Sequence, residues 1–246
     1  MDFTTSWDDG RADDMRLAVL LEKYGAKGTF YVSPPPTHEK QALTDGEIKD
    51  LSQRHEIGAH TITHPKLTRL SLDDARREIA ESKTWIEERI GKPCTAFCYP
   101  YGDENTAMRT LVKEAGYETA RTVEQLQLSS NDPFGMPTTL QIYPFPFRRK
   151  FTRWWHVIDP VARLRMFYPT MRQYGLPLSA TCSWLNLAKA MFMYGLQTDQ
   201  SFFHLWGHSW EVEKYGMWGE LEKFLEFVSK QDNVTYAVNS QLLSRS

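Results

Sequence analysis

Charge of one sign is missing from this chain: across 246 residues, 29 lysines and arginines stand against 31 aspartates and glutamates, a formal net charge of −2. That balance gives no long-range pull toward a polyanion, so nucleic acid is not an expected partner. Cysteine is scarce. Cys94, Cys98 and Cys182 are too few and odd in number for a disulfide framework, and free thiols fit a reducing compartment. Cys94 and Cys98 have no second cysteine pair beside them and lie in CTAFCY, which reads as a strand, so buried thiols are expected there in place of a metal pair. The N-terminal stretch MDFTTSWDDGRADD has neither the basic nor the apolar segment of a secretory signal, which makes the cytoplasm the expected location. Long apolar runs are absent as well. The most apolar stretch, around 184–196, is interrupted by Asn186 and Lys189 and falls short of the ~20 apolar residues that span a bilayer, so it is expected as a buried or amphipathic helix.

What is present is enough to bury a large core: 41% hydrophobic and 13% aromatic residues. Residues 2–7 (DFTTSW) are rich in β-formers and run into Asp8-Asp9-Gly10, a turn signal. Leu17, Leu20, Leu21 and Tyr24 then repeat at helical spacing, with Asp13 and Asp14 in the first turn and Gly25 as the stop. The strand GTFYVS, a helix over Asp45–Arg54 and the strand EIGAH follow. Ser71 caps a helix that keeps Leu72, Ala75, Ile79, Ile86 and Ile90 on one face until Gly91. After it come the strand CTAFCYP, a helix over Ala107–Ala115 and the strand YETART. SFFHLW, a helix with Leu221, Phe224, Leu225 and Val228 on one face, and NVTYAV end the alternation. Such alternation predicts an α/β protein of parallel βαβ units, in a barrel or an open sheet.

Residues 124 to about 200 break the rhythm with prolines and loose aromatics, and are expected as an insertion or lid. Within it, Trp154 and Trp155 with Arg148, Arg149, Lys150 and Arg153 suit either stacking on sugar rings or the basic face of a lid helix. No repeat or low-complexity linker divides the chain, so one domain over 1–246 is expected.

Several polar groups fall where predicted strands end: Asp8 and Asp9, His60 and His64, Tyr101, and His208. In a parallel barrel those ends converge on one face. The H-x3-H spacing of His60 and His64 lets two imidazoles reach one ion, and Pro65 after His64 favours a tight turn over a helix. His204 and His208 share that spacing. A strand would place 204 and 206 on one face with 208 past its end, but spacing does not choose between the two pairs. The adjacent carboxylates Asp8 and Asp9 can approach one site from different angles if the chain turns at Gly10.

Taken in order, TSWDDG (5–10), HTITH (60–64), CYPYG (98–102) and HLWGH (204–208) resemble the motifs of polysaccharide deacetylases with a NodB-type domain, carbohydrate esterase family four. The resemblance covers about 2–123 and 200–238. It implies a distorted (β/α) barrel of the NodB type and one divalent metal ion, commonly zinc, held by Asp9, His60 and His64. It also implies Asp8 as general base, His208 as general acid and the backbone N–H of Tyr101 as an oxyanion donor, with Pro100 and Trp206 lining the acetyl pocket, although a core aromatic accounts for Trp206 equally. The implied substrate is an N-acetylated saccharide or glycoconjugate, released as acetate and a free amine. One position departs from the pattern: relatives place an arginine two residues before the motif proline, where this chain has Cys98. Arg121, in YETART, is the candidate to supply the guanidinium from a neighbouring strand, although a surface ion pair would account for it equally. Two other readings follow from the same residues: a hydrolase of cyclic amides or imides on the same fold, and a glycan-binding barrel that has lost catalysis.

Overall fold

The computed structural model describes residues 1–35, 41–146 and 159–242. Strands and helices alternate through the first half: β1 (Asp2–Asp8), α1 (Asp13–Lys23), β2 (Gly28–Val32), α2 (Asp45–Arg54), β3 (Glu56–Ala59), α3 (Leu72–Ile90), β4 (Ala96–Cys98), α4 (Thr106–Glu114) and β5 (Thr119–Arg121). Then come β6 (Leu140–Gln141), α5 (Asp159–Gln173), α6 (Trp184–Gln197), β7 (Phe202–Gly207), α7 (Ser209–Tyr215), α8 (Trp218–Ser229) and β8 (Thr235–Tyr236). The helix ends follow their sequence signals. The Ser71 hydroxyl accepts from the Asp74 N–H, Gly91 closes α3 at φ 68°, and Thr44 with Glu47 forms a capping box on α2.

All pairings among the strands are parallel, in the order β5-β4-β3-β2-β1-β7-β6, with β8 also pairing β1. The stretch 133–141 bridges the two ends of the curled sheet. It meets β5 through an Arg121–Met136 bridge and reaches β7 through Leu140–Leu205. The α/β expectation holds, and the sheet is the distorted barrel type.

Because the sheet is covered on one face by helices and closed on the other, β1 is buried on both faces, and alternation sorts its residues. Phe3 and Trp7 face the helical layer and pack with Leu17, Leu21, Phe192, Phe203 and Phe224. Thr4, Ser6 and Asp8 face the interior, which is unusually polar: Thr4 Oγ1 donates to Asn239 Oδ1 (2.9 Å), Asn239 Nδ2 donates to Tyr31 OH (2.9 Å), and Ser6 Oγ meets His204 Nε2 (2.8 Å). Those paired groups satisfy one another, which is what permits their burial.

The expected insertion over 124–200 is partly built into the fold. β6 belongs to the sheet, and α6 packs Trp184 and Phe192 against Phe224 of α8 with centroids 5.7 and 6.1 Å apart. The run 147–156 lies outside the described residues. NVTYAV is shorter as a strand than its composition suggests, because after Ala237 the chain turns inward to bring buried Asn239 to Thr4. Cys94 and Cys98 are buried, Cys182 is exposed, and all three are free. No helix among the described residues is long and apolar enough to cross a membrane.

Candidate metal and acid–base centre

Asp8 is the last residue of β1 and points inward. Immediately after it the chain turns through left-handed backbone at Asp9 (φ 84°) and Gly10 (φ 62°), which re-aims the second carboxylate toward the same mouth of the sheet. A Cβ on Gly10 would lie 2.6 Å from Val32 Cγ1, so the turn has both steric and conformational need of glycine.

His60 follows β3 and opens a turn in which Thr61 (φ 64°) and His64 (φ 56°) are both left-handed, an arrangement that a right-handed helix could not provide, and Pro65 disfavours such a helix at His64. The turn is held from behind by Glu78 of α3, which accepts from Ile62 N (2.8 Å), Thr63 N (2.9 Å) and Thr63 Oγ1 (2.6 Å). Ser33 Oγ donates to His60 O (2.7 Å). His60 Nδ1 lies 2.8 Å from the carbonyl oxygen of Cys98, which can only accept, so Nδ1 donates and Nε2 presents a lone pair. That Nε2 is 3.1 Å from His64 Nε2, which is 3.7 Å from Asp9 Oδ1.

One ligand atom from each of Asp9, His60 and His64 lies within 4.8 Å of the others, a geometry that fits a divalent metal ion. Burial holds His60 below its ordinary pKa despite nearby Asp8 and Asp9, so it offers a neutral imidazole, and its Nδ1–H···O=C bond fixes the ring as outer-sphere partners of metal ligands do. Asp8, His60 and Cys98 form a second such group. It suits a cation poorly, because the Arg121 guanidinium already sits against both Asp8 and Cys98, and burial pushes the Cys98 thiol well above its usual pKa.

The position of Arg121 follows from strand register. β4 and β5 pair Cys98 with Arg121, and in-register residues of parallel neighbours point to the same side. Arg121 is fully buried; Nη2 donates to Asp8 Oδ1 and approaches Cys98 Sγ at 2.9 Å, while its guanidinium lies over the rings of Trp206 (4.9 Å) and Tyr31 (5.3 Å). Burial pushes the Asp8 carboxyl up, but the charge of Arg121, helped by His60 and His208, outweighs it and holds Asp8 below the ordinary carboxylate range.

His208 lies just past β7, with Nε2 4.0 Å from Asp9 Oδ2 and Nδ1 2.8 Å from Glu211 Oε2. Burial opposes its charge, yet the Glu211 bond and the charges of Asp9 and Asp8 raise its pKa to about 9. His204, its rival partner by spacing, faces the interior instead, bound to Ser6 and to Pro137 O (3.2 Å), and burial lowers it to about 3. The two histidines therefore do not act as a pair.

Trp206 is 6% exposed, its ring 5.9 Å from His208. Pro100 is buried at the start of a 3-10 turn whose next residue, Tyr101, is left-handed at φ 61° and stacks edge-on against His64 at 4.7 Å. The structure thus gathers Asp8, Asp9, His60, His64, Arg121, Trp206 and His208 around one mouth, with Tyr101 against His64. Sequence reasoning missed three supporting groups. Trp210 Nε1 donates to Asp9 Oδ2 (2.9 Å), and Glu211 meets His208; the H-x2-E spacing, one helical turn, was a readable signal for the latter. Glu78 reaches its loop from 15 or 16 residues away and left no local signal.

An all-parallel, curled α/β sheet with two carboxylates and three histidines at one mouth defines a barrel protein whose mouth carries a donor set that fits a metal ion beside acid–base groups. Over residues 3–120, just under half of its length, the chain matches the family model described as polysaccharide deacetylase. It is 33% identical over 121 residues to a peptidoglycan-N-acetylglucosamine deacetylase of Bacillus cereus, covering 46% of this chain and 53% of that protein. It is 32% identical over 110 residues to the peptidoglycan-N-acetylmuramic acid deacetylase PdaC of Bacillus subtilis, covering 44% of this chain and 23% of that one. The chain thus spans about half or less of the length of these curated relatives. In fold it is similar to a family 4 acetyl xylan esterase from Clostridium thermocellum in complex with a cobalt ion, with a TM-score of 0.60 at 14% identity over 100% of this chain and 91% of that one.

Proposed function

We propose that this chain is a metal-dependent hydrolase that removes an N-acetyl group from an amino sugar of a glycan or glycoconjugate. One observation supports this above all: an ionised Asp8 held by Arg121 and a histidine of raised pKa, His208, flank the Asp9, His60 and His64 donor set. An acid and a base with pKa values pushed apart around one cation site suit hydrolysis of an amide.

Asp9, His60 and His64 would hold the ion, with zinc favoured by the nitrogen and oxygen donors. When bound, it supplies Lewis acidity at the acyl carbonyl and at the attacking water. Asp8 accepts the proton of that water, and Arg121 keeps Asp8 ionised and fixed. The backbone N–H of Tyr101 donates to the carbonyl oxygen as its charge grows, and Trp206 with Pro100 walls the acetyl methyl. His208 gives its proton to the departing nitrogen, so the amine leaves neutral and acetate is the second product.

The test is acetate release from a panel of N-acetylated saccharides, with and without a chelator, alongside cyclic amides. Release that the chelator abolishes and the metal restores is the expected result. Turnover of the cyclic amides alone would move the assignment to that chemistry, and metal binding without turnover of any compound would leave a glycan-binding barrel. Alanine at His60 that kept both metal content and rate would remove the reading altogether.

A further inference from the structure

We infer that Glu211 is the positioning residue that aims the proton of His208 at the leaving group; the inference rests on the reading of His208 as the general acid. His208 is the N-cap of α7, and Glu211 lies at its third helical position. In a capping box, where the N-cap is Ser or Thr, a glutamate at this position returns to the backbone N–H of the cap residue. Here no side-chain cap bond forms, and the carboxylate turns to the imidazole, Oε2 2.8 Å from Nδ1. The Glu211 side chain is 13% exposed, so water competes little for the bond.

A carboxylate can only accept from Nδ1, so Nδ1–H is committed and the deliverable proton is on Nε2. The two neighbouring indoles define the ring plane. Trp206 lies 5.9 Å away at 64° and Trp210 5.4 Å away at 44°. Trp210 is itself anchored to Asp9 by its N–H (2.9 Å). Glu211 behind and the indoles beside it leave Nε2 as the edge nearest Asp9, 4.0 Å from Oδ2. Without the carboxylate, the imidazole can flip or adopt the other tautomer, and the nitrogen that faces the leaving group then has no proton to give.

This mechanism predicts a loss that depends on the leaving group. An amine must be protonated as it departs, whereas 4-nitrophenolate leaves unaided. The experiment compares wild type, Glu211→Gln, Glu211→Asp and His208→Ala on a chitooligosaccharide and on 4-nitrophenyl acetate, with metal content measured for each. For Glu211→Gln, kcat on the oligosaccharide is expected to fall by more than about tenfold at little changed KM, and the amide-to-ester ratio of kcat to fall with it. Glu211→Asp should recover part of that ratio. His208→Ala should show the same selectivity with a larger loss. A Glu211→Gln protein with full metal content and an unchanged oligosaccharide rate, or one that loses both substrates in equal proportion, overturns the inference. If His208→Ala leaves the amide rate intact, the acid assignment itself falls, a result distinct from failure of Glu211 alone.

Discussion

Arg121 and Asp8, 113 residues apart in the chain, meet in an ion pair whose side chains are 0% and 4% exposed. Breaking a pair buried this deeply costs about 3–5 kcal/mol, because the partner left behind is an uncompensated charge. Arg121→Met should therefore both destabilise the protein and damage the base. With the guanidinium gone, burial is the dominant influence on Asp8 and its pKa rises. The acid limb of the pH–rate profile should move up by more than about one unit. A profile unchanged in Arg121→Met would show that Asp8 is not the base or that Arg121 does not control it.

The register of β4 and β5 yields a sharper test. Cys98 and Arg121 are in-register partners on the same face, so a guanidinium introduced at 98 starts from the same neighbourhood as the one removed at 121. Cys98→Arg alone should be harmful, since it crowds a second cation against Arg121. Combined with Arg121→Ala, it should recover part of the rate and return the acid limb toward the wild-type position. Measuring the double variant against both singles checks this, and the absence of any recovery would mean that Asp8 needs its support from β5 specifically.

The turn that presents His60 and His64 depends on Glu78, and outer supports of this kind typically alter metal affinity by about 10–100-fold. Glu78→Gln should weaken metal binding within that range, read by competition with a chromogenic chelator, while the fold is retained. Equal affinity in the variant would show that the left-handed backbone at Thr61 and His64 is set by the chain alone.

Much of this site was legible in the sequence for a physical reason. Strand ends in a parallel sheet share one face, so Asp8, His60 and His208 could be placed together from periodicity alone, and the proline after His64 already argued for a turn. The choice between His204 and His208 was also implicit in strand alternation, but it needed the structure, because only the partners Ser6 and Pro137 show that His204 is satisfied in the interior. The Arg121 contact depends on register across neighbouring strands, which a single sequence expresses weakly. Glu78 and Trp210 act through tertiary contacts with no local pattern, and the short β6 has too few residues to show a period.

Asp14 offers a test of the electrostatics that is independent of catalysis. It sits in the first turn of α1 with no exposed surface, accepts from the Arg11 N–H at 3.0 Å, and is raised by burial to about 8. An unfolded chain releases that proton near the ordinary carboxylate value of 3.8, so between these two pH values the native state binds more protons than the unfolded state. Stability must then fall as pH rises through that window and level off above it. Asparagine keeps an acceptor for Arg11 but cannot ionise, so Asp14→Asn removes the slope. In metal-free protein the melting temperature of the variant should match or trail wild type near pH 4 and exceed it near pH 8.5, the gap widening steadily between. A gap that is constant with pH would show that Asp14 is ionised in the native state and that some charge beside it offsets its burial.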